Sequence, residues 1–302
     1  MKPKLGLALG GGSAKGWSHI GVLRALEQMG IEADIVAGTS MGSLVGAAWV
    51  TDNLDDLEEW VSNLHWSDVL SLLDIRFAGG LIHGDKIIGH LSDGMQGVLI
   101  ESLEKSFAAV ATDLENGNEV WLREGKVLDA VRASIALPGL FSPMKLQNRW
   151  LVDGGLVNPI PISLCRAMGA DVVIAVDLTA QVYFQKPNSA TEESTDKAEF
   201  SLPSDGLVGL VQGMVGRLRG KSDGEDPLPS MLDVAIRSLH IMTTRIARSR
   251  LAGEPAELLI TPRVGDIGLM EFHRGHEAIK LGRDAVERHI PELENLREYL
   301  QR

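Results

Sequence analysis

Short apolar runs, glycine turns and segments of helical period alternate from residue 5 to about residue 178. Leu5–Leu9 reads as a first buried strand. From Trp17 to Met29 apolar residues recur at Ile20, Leu23 and Leu26, or at Val22 and Ala25, which is helical spacing, and Gly30 reads as its C-cap. Asp34–Ala37 is small or β-favouring, and Ser43–Trp49 has the small, apolar content of a buried helix. Leu54 to Leu64 predicts an acidic amphipathic helix capped by Asp52 or Asn53, with Trp60 and Trp66 as packing residues. A turn is expected at Gly79–Gly84, then a helix from Asp85 to Leu91. Phe107–Thr112 and Glu119–Leu122 read as hairpin partners across Asn116-Gly117-Asn118. Val127–Ser134 reads as a short helix, and Pro138 and Pro143 break the next stretch into an ordered loop. Arg149–Val152 is a further strand. Asn158–Pro161 opens a helix to Met168, which Gly169 caps. Asp171–Val176 is apolar almost throughout, as a central parallel strand is. This alternation predicts an α/β fold, a three-layer sandwich with a mainly parallel central sheet.

The pattern changes at residue 181. Residues 181–204 are rich in Pro, Asn, Ser, Thr and charged residues and read as a mobile insertion. Leu207 to Leu218 gathers its apolar residues within an arc of roughly 160°, but Gly209, Gly213 and Gly216 make it a poor helix alone. Two readings stay open for it: packing on the α/β body, or an interfacial segment with Arg217, Arg219 and Lys221 toward lipid headgroups. Met231–Leu251 predicts a strong helix, Glu257–Thr261 a late strand, and Glu271–His289 a helix that packs back on the sheet. The expected organisation is an α/β domain over 1–180, a variable, partly mobile insertion over 181–230, and helices and a strand over 231–302 that complete the domain.

Composition narrows the classes. The chain has 302 residues, 44% hydrophobic and 23% charged, as a soluble globular protein does. A net charge of −12 argues against a nucleic-acid partner. Cys165 is the one cysteine, so neither a disulfide framework nor a cysteine metal site is expected, and no cluster has metal-ligand spacing. The N-terminus reaches glycines too early for a signal peptide, and no apolar run approaches the ~20 residues of a membrane span. A cytoplasmic location is expected, with peripheral contact to the inner membrane face through residues 207–221. The oligomeric state is open.

Three stretches carry candidate chemistry. Gly38-Thr-Ser40-Met-Gly42 places a serine between a strand end and a helix start, with glycines two positions either side. A sharp strand-to-helix elbow needs small residues there, so Ser40 is the candidate nucleophile. The loop Gly10-Gly-Gly-Ser-Ala-Lys-Gly16 also joins a strand to a helix and gathers backbone N–H groups. It misses the dinucleotide fingerprint by one position in either frame, and Lys15 precedes Gly16 where a Walker A loop has Ser or Thr. An oxyanion hole and a tight turn remain. Asp153-Gly154-Gly155 ends a strand, so its carboxylate can project from a tight turn at the sheet edge; it is the candidate base, a parallel strand is expected to bring it to the edge bearing Ser40, and the alternative is a turn cap. The eight histidines offer a weaker partner for Ser40, since His240, His273, His276 and His289 lie at no evident strand end.

Taken in order, the glycine loop ending at Lys15-Gly16, Gly38–Gly42, the block Ala133–Pro143 and Asp153–Gly155 resemble the patatin-like phospholipase family. The likeness covers roughly residues 4 to 178 and is nearest to the bacterial branch related to neuropathy target esterase. It implies a Ser–Asp dyad without histidine, Ser40 as nucleophile and Asp153 as base. It also implies backbone N–H groups of Gly11, Gly12 and Ser13 at the oxyanion, with Gly154 and Gly155 completing the aspartate turn. Ser13 departs from the pattern, which usually has a third glycine. The implied activity is hydrolysis of a lipid or other ester, as a phospholipase, lysophospholipase or carboxylesterase, with no metal or cofactor. Lys15 then either favours a phosphate headgroup or braces the loop. The contrasting reading is a regulatory or interaction protein on the same fold.

Overall fold

In the computed structural model, β1 (Leu5–Leu9) sends Leu5, Leu7 and Leu9 into one apolar cluster and Ala8 into another. The same alternation sorts β2 (Ile35–Thr39), β3 (Ser106–Asp113) and β7 (Val172–Val176) between the two clusters. These strands are apolar on both sides because helices cover both faces of the sheet. The structure describes residues 2–68, 94–180 and 231–301, without the side chains at 231–233 and 236. The expectations for Gly79–Leu91, the polar insertion and residues 207–221 lie outside the described residues.

Among the described residues one sheet of eight strands runs β5-β6-β3-β2-β1-β7-β8, with β4 (Glu119–Leu122) also paired to β3. Here β5 is Met144–Leu146, β6 Arg149–Asp153 and β8 Leu258–Ile260. Pairs β3–β2, β2–β1, β1–β7 and β7–β8 are parallel. One face is covered by α1 (Ser18–Gln28), α2 (Met41–Val50), α3 (Leu54–Ser62) and α4 (Val127–Ser134). On the other face α5 (Ile162–Ala167) and Ala247 of α6 (Met231–Gly253) pack. Two more helices, α7 (Gly275–Glu287) and α8 (Ile290–Leu300), join the first layer. The chain divides into a unit of Met1–Gln185 with Ile241–Arg302 and a unit of Lys186–His240. Of the second, the described residues are the first turns of α6. No helix among the described residues is long and apolar enough to cross a membrane.

Four expectations need correction. First, β6 is antiparallel to β3, so Asp153 does not reach the site along a parallel strand. Second, the stretch after Pro143 holds a strand, β5, which pairs with β6. Third, of the two expected caps Asn53 is the one at the N-cap position of α3, but its side-chain amide donates to the Thr51 carbonyl and makes no capping bond. Fourth, the segment from Glu271 splits into a short 3₁₀ turn and α7, whose main packing partner is α1. A Cβ on Gly21 would collide with the Ile279 carbonyl, and one on Gly282 with that of Ser18, so the two helices touch backbone to backbone.

Candidate active site

The turn from β2 to α2 is a strained elbow. Ser40 has φ 53° and ψ −126°, a conformation that costs a non-glycine residue about 1–3 kcal/mol. Its neighbours leave no room for side chains. A Cβ on Gly38 would strike the Ser43 backbone, and one on Gly42 the Leu9 carbonyl. Hydrogen bonds hold the elbow from both sides. The Ser40 N–H donates to Ser134 Oγ at 2.8 Å. The Ser40 carbonyl accepts from Ser43 Oγ at 2.6 Å and Ser43 N at 2.8 Å. The hydroxyl itself donates to Asp153 Oδ2 at 2.6 Å.

Asp153 reaches Ser40 because β3 is long. Thr39, the last residue of β2, pairs with Val110, and β3 continues to Asp113. The antiparallel β6 runs back along that extension and ends with Asp153 opposite Ala111, level with the elbow. Gly154 then passes so close to β3 that a Cβ there would meet the Val110 carbonyl. The Gly155 N–H donates to Asp153 Oδ1 at 2.7 Å, leaving Oδ2 to Ser40. Asp153 is 2% exposed. Burial pushes its pKa up to about 6, against the lowering effect of the bonds from Ser40 and Gly155. At neutral pH it is mostly an ionised acceptor with unusual basicity.

The glycine loop lies alongside. A Cβ on Gly11 would sit 3.4 Å from Ser40 Cβ. The Gly11 N–H donates to the Pro159 carbonyl at 2.9 Å, which corrects the expectation that it faces an oxyanion. Among the described residues the amides of Gly12 and Ser13 meet no acceptor. Gly12 is extended, at φ −175°. Ser13 has φ 52°, the left-handed region that the usual glycine enters freely, and its hydroxyl donates to the Leu269 carbonyl at 2.6 Å. That carbonyl also accepts from Ala14 N at 3.2 Å.

The remaining charges near the loop belong to its scaffold. Lys15 is 5% exposed. Burial pulls its pKa down and the charge of Asp266 opposes this, which favours the bracing role. His19 is fully buried beneath the loop, its Nε2 2.7 Å from the Gly10 carbonyl, and burial lowers it to about 4. It is therefore neutral at physiological pH. Among the described residues neither Ser40 nor Asp153 has a histidine as a hydrogen-bond partner. Burial pushes the Cys165 thiol up to about 12, so it is unreactive. Among the described residues no group of three or more His, Cys, Asp or Glu is placed to hold a metal ion.

Two supporting groups had no role assigned from sequence. Ser134 holds the Ser40 amide, while the Ala136 carbonyl accepts the Asp153 N–H at 3.0 Å. Both lie in the proline-containing block, whose motif was visible but whose contacts were not. The Leu269 carbonyl is 256 residues from Ser13, and nothing in a single sequence points to it.

A family model described as patatin-like phospholipase matches residues 7–166. An uncharacterized NTE family protein of Mycobacterium tuberculosis is 33% identical over 322 residues, 93% of this chain and 89% of that protein. Patatin-like phospholipase domain-containing protein 6 of Mus musculus is 34% identical over 186 residues, 59% of this chain and 14% of that protein. The crystal structure of VipD from Legionella pneumophila superposes with a TM-score of 0.55, covering 96% of this chain and 67% of that one. At 14% identity that likeness is one of fold. A family match over more than half of the sequence, and a relative aligned along nearly all of it, make this chain a member of the patatin-like phospholipase family, whose hydrolases act on lipids.

Proposed function

We propose that the protein is a serine lipid acyl hydrolase working through a Ser40–Asp153 dyad. What supports the reading most is the 2.6 Å bond from Ser40 Oγ to a buried carboxylate of raised basicity. Ser40 Oγ attacks the ester carbonyl carbon as its proton passes to Asp153 Oδ2. The carbonyl electron pair moves onto oxygen, which the Gly12 and Ser13 amides and the α2 N-terminus stabilise. The intermediate collapses, the bond to the leaving alcohol breaks, and Asp153 returns the proton to that oxygen. Water then attacks the acyl-enzyme with Asp153 again as base, releasing the fatty acid and Ser40. Phospholipids, lysophospholipids and simple carboxylic esters all carry the reacting group. Residues 207–221 are proposed as a peripheral membrane contact, and loss of liposome flotation in a Leu210→Asp/Met214→Asp variant tests that part.

A fluorophosphonate probe tests the chemistry. The expected result is a covalent adduct on Ser40 and fatty-acid release from phospholipid vesicles, both lost in Ser40→Ala. A folded wild type that takes no label and cleaves no ester returns the chain to the regulatory or interaction reading.

A further inference from the structure

One short stretch after the base, Gly154 to Pro159, touches all three parts of the candidate site. The Val157 and Asn158 amides donate to the Gly154 carbonyl at 3.1 and 2.9 Å, which ties the stretch to the Asp153 turn. The Asn158 carbonyl accepts the hydroxyl of Thr39, the residue before Ser40, at 2.8 Å. The next carbonyl, that of Pro159, accepts the Gly11 amide of the glycine loop at 2.9 Å. Base, nucleophile and loop therefore share one backbone segment, and whatever fixes residues 157–159 fixes their spacing.

Side chains from distant elements hold that segment. Asn158 is fully buried, and its Nδ2 donates to Glu119 Oε1 at 2.6 Å and to Ser163 Oγ at 3.2 Å. A carboxylate only accepts, so the amide nitrogen must face Glu119, and the orientation of Asn158 is fixed. Glu119 stands on β4 opposite Thr112, whose hydroxyl donates to the Asp153 carbonyl at 2.8 Å. Arg250, near the end of α6, closes the arrangement from the other side. It donates to the Val157 carbonyl at 3.3 Å and to Ser163 Oγ at 3.0 Å, and it pairs with Glu119 at 3.3 Å. Among the described residues Asn158 Oδ1 is buried and meets no donor. That costs stability, which is the mark of a residue kept for a site and not for packing.

We propose that Asn158 is a positioning residue for the hydrolysis: held by Glu119 and Arg250, it keeps the Ser40 elbow and the glycine loop in register with the Asp153 turn. The proposal rests on the dyad reading and adds to it the side chains that hold its parts together. None of the three touches the reacting atoms. They act through the carbonyls of residues 157–159.

The test uses the full chain and a soluble nitrophenyl ester. Arg250 is partly exposed, so Arg250→Met removes its donors without opening the core. Its kcat should fall roughly tenfold or more with KM within about twofold, because misplaced groups slow the chemical step and not ester binding. Arg250→Lys keeps a cation beside Glu119 and should recover most of the loss. Asn158→Ala should fall as far, and the double variant no further than the worse single one, since both cut the same chain of contacts. If Asn158→Ala does not fold, the two Arg250 variants decide. The control is Arg166→Met on α5, which loses an equal charge from a pair with Glu257 and should keep its kcat. Exchange of the Gly11 amide hydrogen reads the loop without turnover. It should quicken roughly tenfold in Arg250→Met and keep the wild-type rate in Arg166→Met. Unchanged kcat or unchanged Gly11 exchange in Arg250→Met, an equal loss in Arg166→Met, a loss carried by KM, or no recovery in Arg250→Lys would overturn the proposal. A wild type that takes no fluorophosphonate label defeats the hydrolase reading instead, and the Gly11 exchange rates still decide whether Arg250 holds the loop.

Discussion

The hydroxyl of Ser40 and the carboxylate of Asp153 meet, at 2.6 Å, across a strand that carries neither of them. Strand β3 separates β2 from β6 in the sheet. Because β3 outruns β2, the antiparallel β6 has backbone to pair with above the elbow, and its end comes down to the level of Ser40. The segment from Ser134 to Ala136 then fixes both partners, one through a hydroxyl and the other through a carbonyl. The dyad distance is thus set by three separate parts of the chain.

Substitution at either end of the bond separates nucleophile from base. Ser40→Ala should abolish both adduct formation and esterase activity while the protein stays folded. Asp153→Asn keeps the shape and loses the basicity, and kcat should fall about 10³-fold or more. His240→Ala, His273→Ala, His276→Ala and His289→Ala should change kcat little. Burst kinetics with a nitrophenyl ester measure the acylation step. A histidine variant that loses the burst while Asp153→Asn keeps it points to a triad instead.

The raised pKa of Asp153 gives two pH signatures of opposite sign. As a base it must be ionised, so kcat/KM should rise with pH and level off above about 6. For stability, the folded protein holds this proton more tightly than the unfolded chain, whose value is near 3.8. The stabilising contribution is therefore complete below that lower value and is lost as pH rises through about 6. Asp153→Asn never ionises and should gain unfolding free energy relative to wild type as pH rises from about 4 to about 8, by at most ~3 kcal/mol. A difference between the two proteins that does not vary with pH would show that Asp153 does not titrate there.

Ser134 and Ser43 both hold the elbow, but their loss should differ. Ser134→Ala leaves the buried Ser40 N–H without its acceptor, at a cost of about 1–3 kcal/mol. Ser43→Ala removes one of three donors to the Ser40 carbonyl, since the amides of Ser43 and Leu44 remain at 2.8 and 3.3 Å. Denaturant unfolding should rank Ser134→Ala clearly below Ser43→Ala. The kcat values should follow the same order with KM little changed. The reverse order would mean that the carbonyl side carries the strain.

Much of the fold and both ends of the dyad are legible in the amino-acid sequence. The apolar runs at Leu5–Leu9 and Asp171–Val176 form strands, because a sheet covered on both faces admits little else. Ser40 and Asp153 are legible because their glycines are demanded by close backbone approach, which leaves a mark in sequence. The direction of β6 is not, since strand polarity is set by partners far along the chain and leaves no local pattern. Nor is the commitment of the Gly11 amide to Pro159, because any backbone amide looks the same in sequence. Strand β5, only Met144–Leu146, is too short to show a period.

Ser13 is the position where this chain departs from three glycines, and its geometry yields opposed effects that two substitutions resolve. Its φ of 52° favours glycine, while its hydroxyl bond to Leu269 ties the loop to the C-terminal part of the chain. Ser13→Gly relieves the backbone, by roughly 1 kcal/mol, and loses a bond of similar worth. Ser13→Ala loses the bond and keeps the strain. The alanine variant should therefore be about 1 kcal/mol less stable than the glycine variant, which should lie near wild type. Activity follows a separate logic. In the proposed mechanism the residue acts through its amide, which both variants retain, and the hydroxyl is already engaged by Leu269. Both should keep kcat within about tenfold of wild type. If both lose activity far beyond that while remaining folded, the hydroxyl takes part in the chemistry and the backbone-donor assignment fails.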